Sequence, residues 1–356
     1  MEHSVAPTAI EGRFAAQLLS GAPGRSAVDV TQRLLAIQGQ DPRGARLAIR
    51  ARSERLTAAH VDRALTADRS LVITWLNRGT LHLICSTDYW WLHRLTARPQ
   101  FQVGCRRILA RSGVGDAAAD SGVAVIERAL SADGPLTRQQ LRDRIARAGL
   151  PAEGNVVLHM LMLASLRGIA VRGPMVGAQQ AYVHVREWLG EPPASLDHDV
   201  ALAELARRYL AGHGPASDRD LAKWAGLTVG QARRGLAAIA AELRDRSDGL
   251  AELCSRAPAP RGLPGPRLLG PYDPVLLGWA SRAQILGPHQ QIVTVNGLFR
   301  PFAMVAGRAA GTWAWSGDQV DLEPFGELPA DVMSALAAEA RDVRRFLGAG
   351  EPPSAE

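Results

Sequence analysis

Apolar residues recur at helical spacing along most of the chain, and short strand-like runs separate the helical segments. In the middle of the chain, this pattern twice predicts a helix, a turn-capped helix, a third helix and a hairpin. The first copy comprises helices near 122–132, 137–148 and 155–168 and strands near 169–172 and 181–185. The second comprises helices near 201–211, 217–225 and 229–243 and a hairpin that turns at 247–249. This order is typical of a winged helix, a helix-turn-helix variant.

An internal repeat supports the two copies. The motif Gly-Pro-x-(Ser/Thr)-x-x-x-Leu begins at Gly134 and again at Gly214, 80 residues later. In each copy, Gly-Pro turns the chain, and the hydroxyl residue, Thr137 or Ser217, is predicted to cap the helix that follows. The repeat therefore predicts two copies of one structural unit.

The two ends of the chain carry a looser pattern. In the first 115 residues it predicts helices near 9–20, 28–37 and 58–66, strands near 45–52, 71–76 and 80–84, and a helix after residue 88. After a Pro- and Gly-rich linker at 258–271, it predicts strands near 291–295, 299–305 and 311–316 and a closing helix at 330–346. We predict four segments, 1–115, 116–192, 193–257 and 258–356, in an α+β fold that is mostly helical with small β wings.

Composition excludes several classes of protein. The 356 residues are 47% apolar and 21% charged, which is ordinary for globular chains and excludes a disordered or fibrous one. The three cysteines and nine histidines lack the spacing of a disulfide framework or a metal site, so we expect neither a metal nor a cofactor. P-loop, GxGxxG, HExxH and GxSxG signatures are absent. Without a signal peptide or an apolar run of 18 residues, the expected location is the cytoplasm.

The positive charge is concentrated in the first third of the chain. The formal net charge is +6, and Lys223 is the only lysine among 41 basic residues. A GC-rich genome would explain the preference for arginine, but guanidinium groups also match phosphate oxygens. Residues 1–115 contain sixteen arginines and eight acids, so residues 116–356 have a net charge of −2. This asymmetry suits a one-sided surface for a polyanion.

Ten arginines of this region are candidate DNA contacts. They are Arg43, Arg46, Arg50, Arg52, Arg78, Arg94, Arg98, Arg106, Arg107 and Arg111. The predicted strand at 45–52 would place Arg46, Arg50 and Arg52 on one face. The alternative to a DNA contact is a solvated strand face.

Two glutamines stand out at the end of the predicted helix 28–37. Gln38 and Gln40 are two residues apart and precede Asp41-Pro42. In an extended or loosened backbone, such residues point the same way, so both amides could meet one water or one ligand atom. The alternative is a polar helix end with solvated glutamines. Asp41 is a candidate base or a helix cap.

With this glutamine pair and four further runs, the chain resembles the AlkZ/YcaQ group of bacterial DNA glycosylases. The matching runs occur in the family's order: Gln38-Gly39-Gln40, 78–83 (RGTLHL), 212–224, 268–273 (LLGPYD) and 305–313. The resemblance implies three tandem winged helices in a C-shaped scaffold whose basic concave face holds duplex DNA. It also implies a β-hairpin that reaches into the DNA, for which 292–305 and 173–180 are both candidates.

The resemblance also implies an activity. Enzymes of this group hydrolyse the N-glycosidic bond of N7-alkylated guanine. The Gln-x-Gln branch removes bulky adducts or interstrand crosslinks made by alkylating antibiotics and protects the producing organism. Gln38 and Gln40 match its catalytic pair, although Gly39 replaces the usual aliphatic middle residue. We expect a monomer that acts on such lesions in double-stranded DNA, without metal, cofactor or membrane.

The residues are chemically compatible with this activity. Alkylation at N7 makes guanine cationic, so the base is already a good leaving group. The enzyme then needs only to position water and favour the oxocarbenium-like sugar. An amide carbonyl can accept a hydrogen bond from that water and orient it. The alternative function is a winged-helix transcription regulator without catalysis. Such regulators usually dimerise, and the sequence shows no heptad pattern.

Overall fold

The computed structural model describes residues 8–176, 179–194, 196–257 and 259–348, which form two compact units. The first unit combines residues up to Asp62 with those from Leu202 onward, and the second is Arg63–Ala201. The helices are α1 (Ala9–Ala16), α2 (Ala27–Leu34), α3 (Pro42–Arg50), α4 (Ala58–Thr66), α5 (Tyr89–Thr96), α6 (Pro99–Arg111), α7 (Asp116–Asp133), α8 (Arg138–Arg147), α9 (Val156–Leu166), α10 (Val185–Leu189), α11 (His198–His213), α12 (Asp218–Ala225), α13 (Val229–Ala238), α14 (Pro274–Leu277), α15 (Ala283–Leu286) and α16 (Ala330–Leu347). The strands are β1 (Ile37–Gln38), β2 (Leu71–Leu76), β3 (Thr80–Cys85), β4 (Ala170–Val176), β5 (Gln179–His184), β6 (Leu243–Arg244), β7 (Glu252–Leu253), β8 (Arg267–Leu269), β9 (Phe302–Val305), β10 (Arg308–Ser316) and β11 (Gln319–Pro324). The α+β prediction is confirmed.

The second unit contains the first predicted series of elements. Helices α7, α8 and α9 precede the antiparallel strands β4 and β5, as the periodicity predicts. Thr137 and Gln140 form a capping box at the start of α8. Strands β3, β2, β4 and β5 are hydrogen-bonded in that order. Every residue of β2 is buried, so this strand forms part of the core. Residues 177 and 178, in the predicted wing, lie outside the described residues.

The second predicted series is also present. Helices α11, α12 and α13 precede the short strand pair β6–β7. Ser217 and Asp220 form a capping box at the start of α12, and Gly226 ends this helix in the left-handed conformation. Both caps predicted from the repeat are therefore confirmed, and each such cap stabilises a helix by about 1 kcal/mol.

An antiparallel sheet supports the C-terminal part of the first unit. Its strand order is β11-β10-β9-β8, and α16 packs against β8 and β11. Burial alternates along β10, where Ala309, Gly311 and Trp313 are buried, so one face of the strand meets the core. Phe302 on β9 and Leu336 on α16 are fully buried.

Three local predictions are wrong. The predicted strand at 45–52 is mostly helix α3, because Asp41 caps it and Pro42 occupies its first turn. The predicted helix 28–37 ends at Leu34, because Leu35 turns to a positive φ of 62°. Instead of a strand at 291–295, the structure has a 3₁₀ turn and a single bridge between Val293 and Phe299.

Within the described ranges, no helix combines the length and the apolar composition that a membrane crossing requires. The predicted linker at 258–271 begins at a residue outside these ranges, and its last part includes strand β8.

Candidate functional site

The two glutamines lie in a non-helical connection between α2 and α3. After Leu35 reverses the backbone, the N–H of Ala36 donates to the carbonyl of Leu34 at 2.7 Å, and Ile37–Gln38 continue as an extended strand. Gln38 is buried with 8% of its surface exposed, whereas Gln40 is exposed. The pair therefore does not form a solvated helix end. Gln38 is a buried residue, and Gln40 is an exposed one.

Asp41 fixes the chain immediately after the glutamines. Its Oδ1 accepts a hydrogen bond from the N–H of Gly44 at 2.6 Å, which caps α3. Of the two roles left open for Asp41, this geometry favours the cap over the general base, because the carboxylate is engaged by the backbone.

A distant segment packs against the start of α3. A Cβ atom on Gly44 would lie 2.4 Å from the carbonyl oxygen of Pro271, and one on Gly270 would lie 2.9 Å from Cβ of Leu47. Only glycine permits so close an approach at these two positions. The LLGPYD run at 268–273 therefore contacts the helix that follows the glutamines. Sequence order alone contained no sign of this proximity.

Aromatic and cationic side chains extend this contact. Burial raises the pKa of Tyr272, and the negative charge of Asp41 raises it further. The Tyr272 ring lies 5.1 Å from that of Phe299, and the Arg282 guanidinium lies 4.9 Å from the Phe299 ring. Burial lowers the pKa of Arg282. Arg282 was not predicted, because nothing in its flanking sequence distinguishes it from other arginines.

Phe299 closes a tight turn with an apolar tip. The N–H of Thr294 donates to the carbonyl of Leu298 at 2.9 Å, and Gly297 takes a positive φ of 73° within the turn. Val295 is fully exposed, and Leu298 is 58% exposed. Two large apolar side chains are therefore exposed at the tip of this turn. This turn belongs to the predicted hairpin 292–305, in the same unit as the glutamines.

A buried ion pair anchors the chain just after α3. Arg52 donates two hydrogen bonds to the carboxylate of Asp273, at 2.7 and 2.9 Å, and a third to Oε1 of Gln17 at 2.9 Å. The side chains of Arg52 and Asp273 are both fully buried. Arg50 is also buried and pairs with Glu339 and Asp342. These two arginines join segments of the first unit and do not face solvent, contrary to the expectation of phosphate contacts at these positions.

The other candidate arginines differ in accessibility. Arg46 pairs with Asp62, and Arg106 pairs with Asp116 and Asp120. Arg78 and Arg98 are half-buried. The exposed candidates are Arg43, Arg94, Arg107 and Arg111. Arg43 lies in the first unit, three residues beyond Gln40, with its guanidinium 5.9 Å from the Trp315 ring.

Comparison with known proteins gives consistent matches over nearly the whole chain. The family model for AlkZ-like DNA glycosylases matches residues 31–346. A curated relative, the interstrand DNA cross-link repair glycosylase of Streptomyces sahachiroi, is 26% identical over 363 residues, which cover 96% of each protein. The solved structure of the Streptomyces sahachiroi DNA glycosylase AlkZ superposes with a TM-score of 0.74 at 25% identity and covers 97% of each chain. The matched region includes both glutamines.

Proposed function

The chain belongs to the AlkZ-like DNA glycosylase family, and we propose that it excises bulky N7-alkylguanine adducts or interstrand crosslinks from duplex DNA. The proposal includes self-resistance to an alkylating natural product as the biological role. It is supported by a relative named for interstrand cross-link repair and by a family match that spans both glutamines. We further propose that α7–α9 with β4–β5 and α11–α13 with β6–β7 are two winged helices, and that residues 1–115 supply a third.

The observation that carries the proposal is the unequal burial of the two glutamines. In the proposed reaction the bond between C1′ and N9 breaks, its electrons neutralise the cationic base, and water adds to C1′. The products are the alkylated guanine, a proton and an abasic site. Gln38, which is buried, is suited to keep one amide fixed, and Gln40, at the surface, is suited to meet the sugar and the water. The amide carbonyl orients the water by accepting its hydrogen bond.

Several accessible groups are suited to hold the DNA. Arg43 and Arg282 lie in the same unit as the glutamines, and we assign them to backbone phosphates. The exposed arginines of the second unit, Arg94, Arg107 and Arg111, are assigned to phosphates as well. Arg50 and Arg52 are left out of this assignment because their side chains are buried in ion pairs.

An excision assay tests the proposed function. The full-length protein is incubated with duplexes that carry either a bulky N7-alkylguanine monoadduct or an N7-linked interstrand crosslink, and abasic sites are then cleaved with alkali and resolved on a gel. We expect strand cleavage of the modified duplex and none of an unmodified duplex of the same sequence. An adduct that is bound but retained would contradict the proposal, and would indicate lesion binding without excision.

The apolar turn tip is expected to contribute to excision. Substituting both Val295→Ser and Leu298→Ser should lower the rate of base release roughly tenfold or more, because apolar side chains inserted between base steps hold the duplex in an unstacked, bent form that costs a few kcal/mol per step to reach. Both residues are exposed, so the free energy of unfolding should change by less than about 0.5 kcal/mol. Single-turnover rates measure the effect. Met333→Ser, which alters an exposed apolar residue on α16, is the control. Equal rates in the double variant and the wild type would exclude this role of the tip.

A further inference from the structure

A second group of cationic side chains lies in the second unit, at the base of the β4–β5 hairpin. Arg172 is half-buried on β4, and its guanidinium lies 4.4 Å from the ring centre of Tyr182 and 5.8 Å from that of Trp75. Burial lowers the pKa of Arg172. In the same unit, Arg106 and Arg144 pair with aspartates. Among the residues that the structure describes, no carboxylate pairs with Arg172.

Arg138 brings a second positive charge to the same place. It is the first residue of α8 and is exposed, and within the described ranges it also has no carboxylate partner. Its charge lowers the pKa of Arg172 further. The first turn of α8 contains no acid, and the start of a helix itself carries partial positive charge. Neighbouring like charges repel one another, and a bound anion relieves this repulsion.

Tyr182 contributes a hydroxyl group with an unused donor. The residue is fully buried, and its hydroxyl has no hydrogen-bond partner among the described residues. Burial raises the pKa of Tyr182, and the charges of Arg172 and Arg138 act in the opposite direction. A buried hydroxyl without a partner costs about 1–3 kcal/mol. A bound acceptor would remove this cost.

Backbone hydrogen bonds connect the segments that carry Arg138, Arg172 and Tyr182. The N–H of Leu136 donates to the carbonyl of Tyr182 at 3.0 Å, and the N–H of Tyr182 donates to the carbonyl of Leu136 at 2.8 Å. Leu136 is two residues before Arg138, and Tyr182 pairs with Arg172 in the β4–β5 register. The start of α8 and the base of the hairpin are therefore fixed relative to one another. Because the Tyr182 hydroxyl is buried, a phosphate reaches it only when neighbouring side chains move.

We propose that Arg138, Arg172 and the hydroxyl of Tyr182 bind one backbone phosphate of duplex DNA. Two guanidinium groups and a hydroxyl match the several acceptor oxygens of a phosphodiester. The inference rests on the proposed function, because it assigns an additional contact for the DNA substrate. Neither arginine is among the ten candidates in the first 115 residues.

The salt dependence of DNA affinity tests this site in the full-length protein. An unmodified duplex is titrated at several salt concentrations with the wild type, Arg138→Ala, Arg172→Ala and the double variant. Losing one phosphate contact should lower the slope of log affinity against log salt by about 0.9 and weaken binding at 0.1 M salt by about eightfold. The double variant should lose no more than one such contact, because both arginines bind the same phosphate. Arg138 is exposed, so its variant is expected to fold normally.

Two further variants complete the test. Arg147→Ala removes an exposed charge from the other end of α8 and should leave the slope unchanged. Tyr182→Phe keeps the ring beside Arg172 and removes the hydroxyl, and should weaken duplex binding about threefold, a typical effect of one hydrogen bond. A wild-type slope in the double variant would overturn the proposal. A rise in Tm with inorganic phosphate that requires both arginines, combined with an unchanged slope, would overturn it in favour of a free-phosphate site.

The outcomes separate this inference from the proposed function. The titration uses unmodified DNA and measures binding alone, so its failure leaves base release by the wild type intact. Conversely, a reduced slope in the variants, with no base release by the wild type, would overturn the excision proposal and leave the phosphate site standing.

Discussion

Replacing Gln38 by alanine is expected to lower the rate of base release about 100-fold, because loss of the fixed amide misplaces the attacking water. Gln40→Ala is expected to have a comparable effect through loss of the contact to the water and the sugar. Affinity for the duplex should remain close to that of the wild type, since the arginines supply most of it. Single-turnover formation of abasic sites and fluorescence anisotropy with the same duplex measure the two quantities.

Gln32→Ala is the matched control, because this exposed glutamine lies on α2, outside the connection that carries the pair. Its rate should equal that of the wild type. If Gln38→Ala and Gln40→Ala both retain full activity, the roles assigned to the pair are wrong. If they lose activity together with affinity, the glutamines bind DNA and do not act mainly on the water.

The largest expected effect on stability is that of Asp273→Asn. Asn keeps the hydrogen bond to the N–H of Val275 but leaves the buried charge of Arg52 without its counter-charge. Breaking one side of a buried ion pair typically costs about 3–5 kcal/mol. We expect a loss of that size in the free energy of unfolding, measured by urea denaturation followed by tryptophan fluorescence.

Two comparisons make this result specific. Asp342→Asn alters a partly exposed partner of Arg50, which also pairs with Glu339, so its cost should stay below about 1 kcal/mol. Adding Arg52→Met to Asp273→Asn removes the unpaired charge, and the double variant should be more stable than Asp273→Asn alone. A loss below 1 kcal/mol in Asp273→Asn would show that water or rearranged side chains reach Arg52.

Local signals predicted the middle of the chain well. Helices α7–α9 and α11–α13 occur in the predicted order. Thr137 and Ser217 cap their helices, as their position after Gly-Pro predicts. At Asp41-Pro42 the cap was a candidate role for Asp41, but the helix that it begins was not predicted. There the alternation of arginine and apolar residues suggested a strand, but the cap and the proline start a helix.

Charge composition predicted accessibility less well. Arg50 and Arg52 contribute to the excess of +8 in the first 115 residues, but acids more than 200 positions later neutralise them. Local charge counts do not reveal such pairs, because the partners meet only in the folded chain. The proposed phosphate-binding residue Arg172 belongs to the part of the chain with a net charge of −2.

The glutamine pair was identified by resemblance, but its surroundings were not. The segment that contains Pro271 and Tyr272 contacts α3, and Gly44 and Gly270 permit this close approach. The role of these two glycines is visible only in the folded chain. Spacing along the chain carries no information about a contact between positions 44 and 271. Phe299 and Arg282 became candidates only once the fold placed them beside Tyr272.

The discontinuity of the first unit has a consequence for synthesis. The residues before Arg63 emerge from the ribosome ahead of the segments beyond Leu202, which pack on α3 and hold Arg50 and Arg52. Domains generally fold as units while the chain emerges. The second unit, Arg63–Ala201, is continuous and has all its residues available earlier. The glutamines are therefore made well before the segments beyond Leu202 that complete their unit.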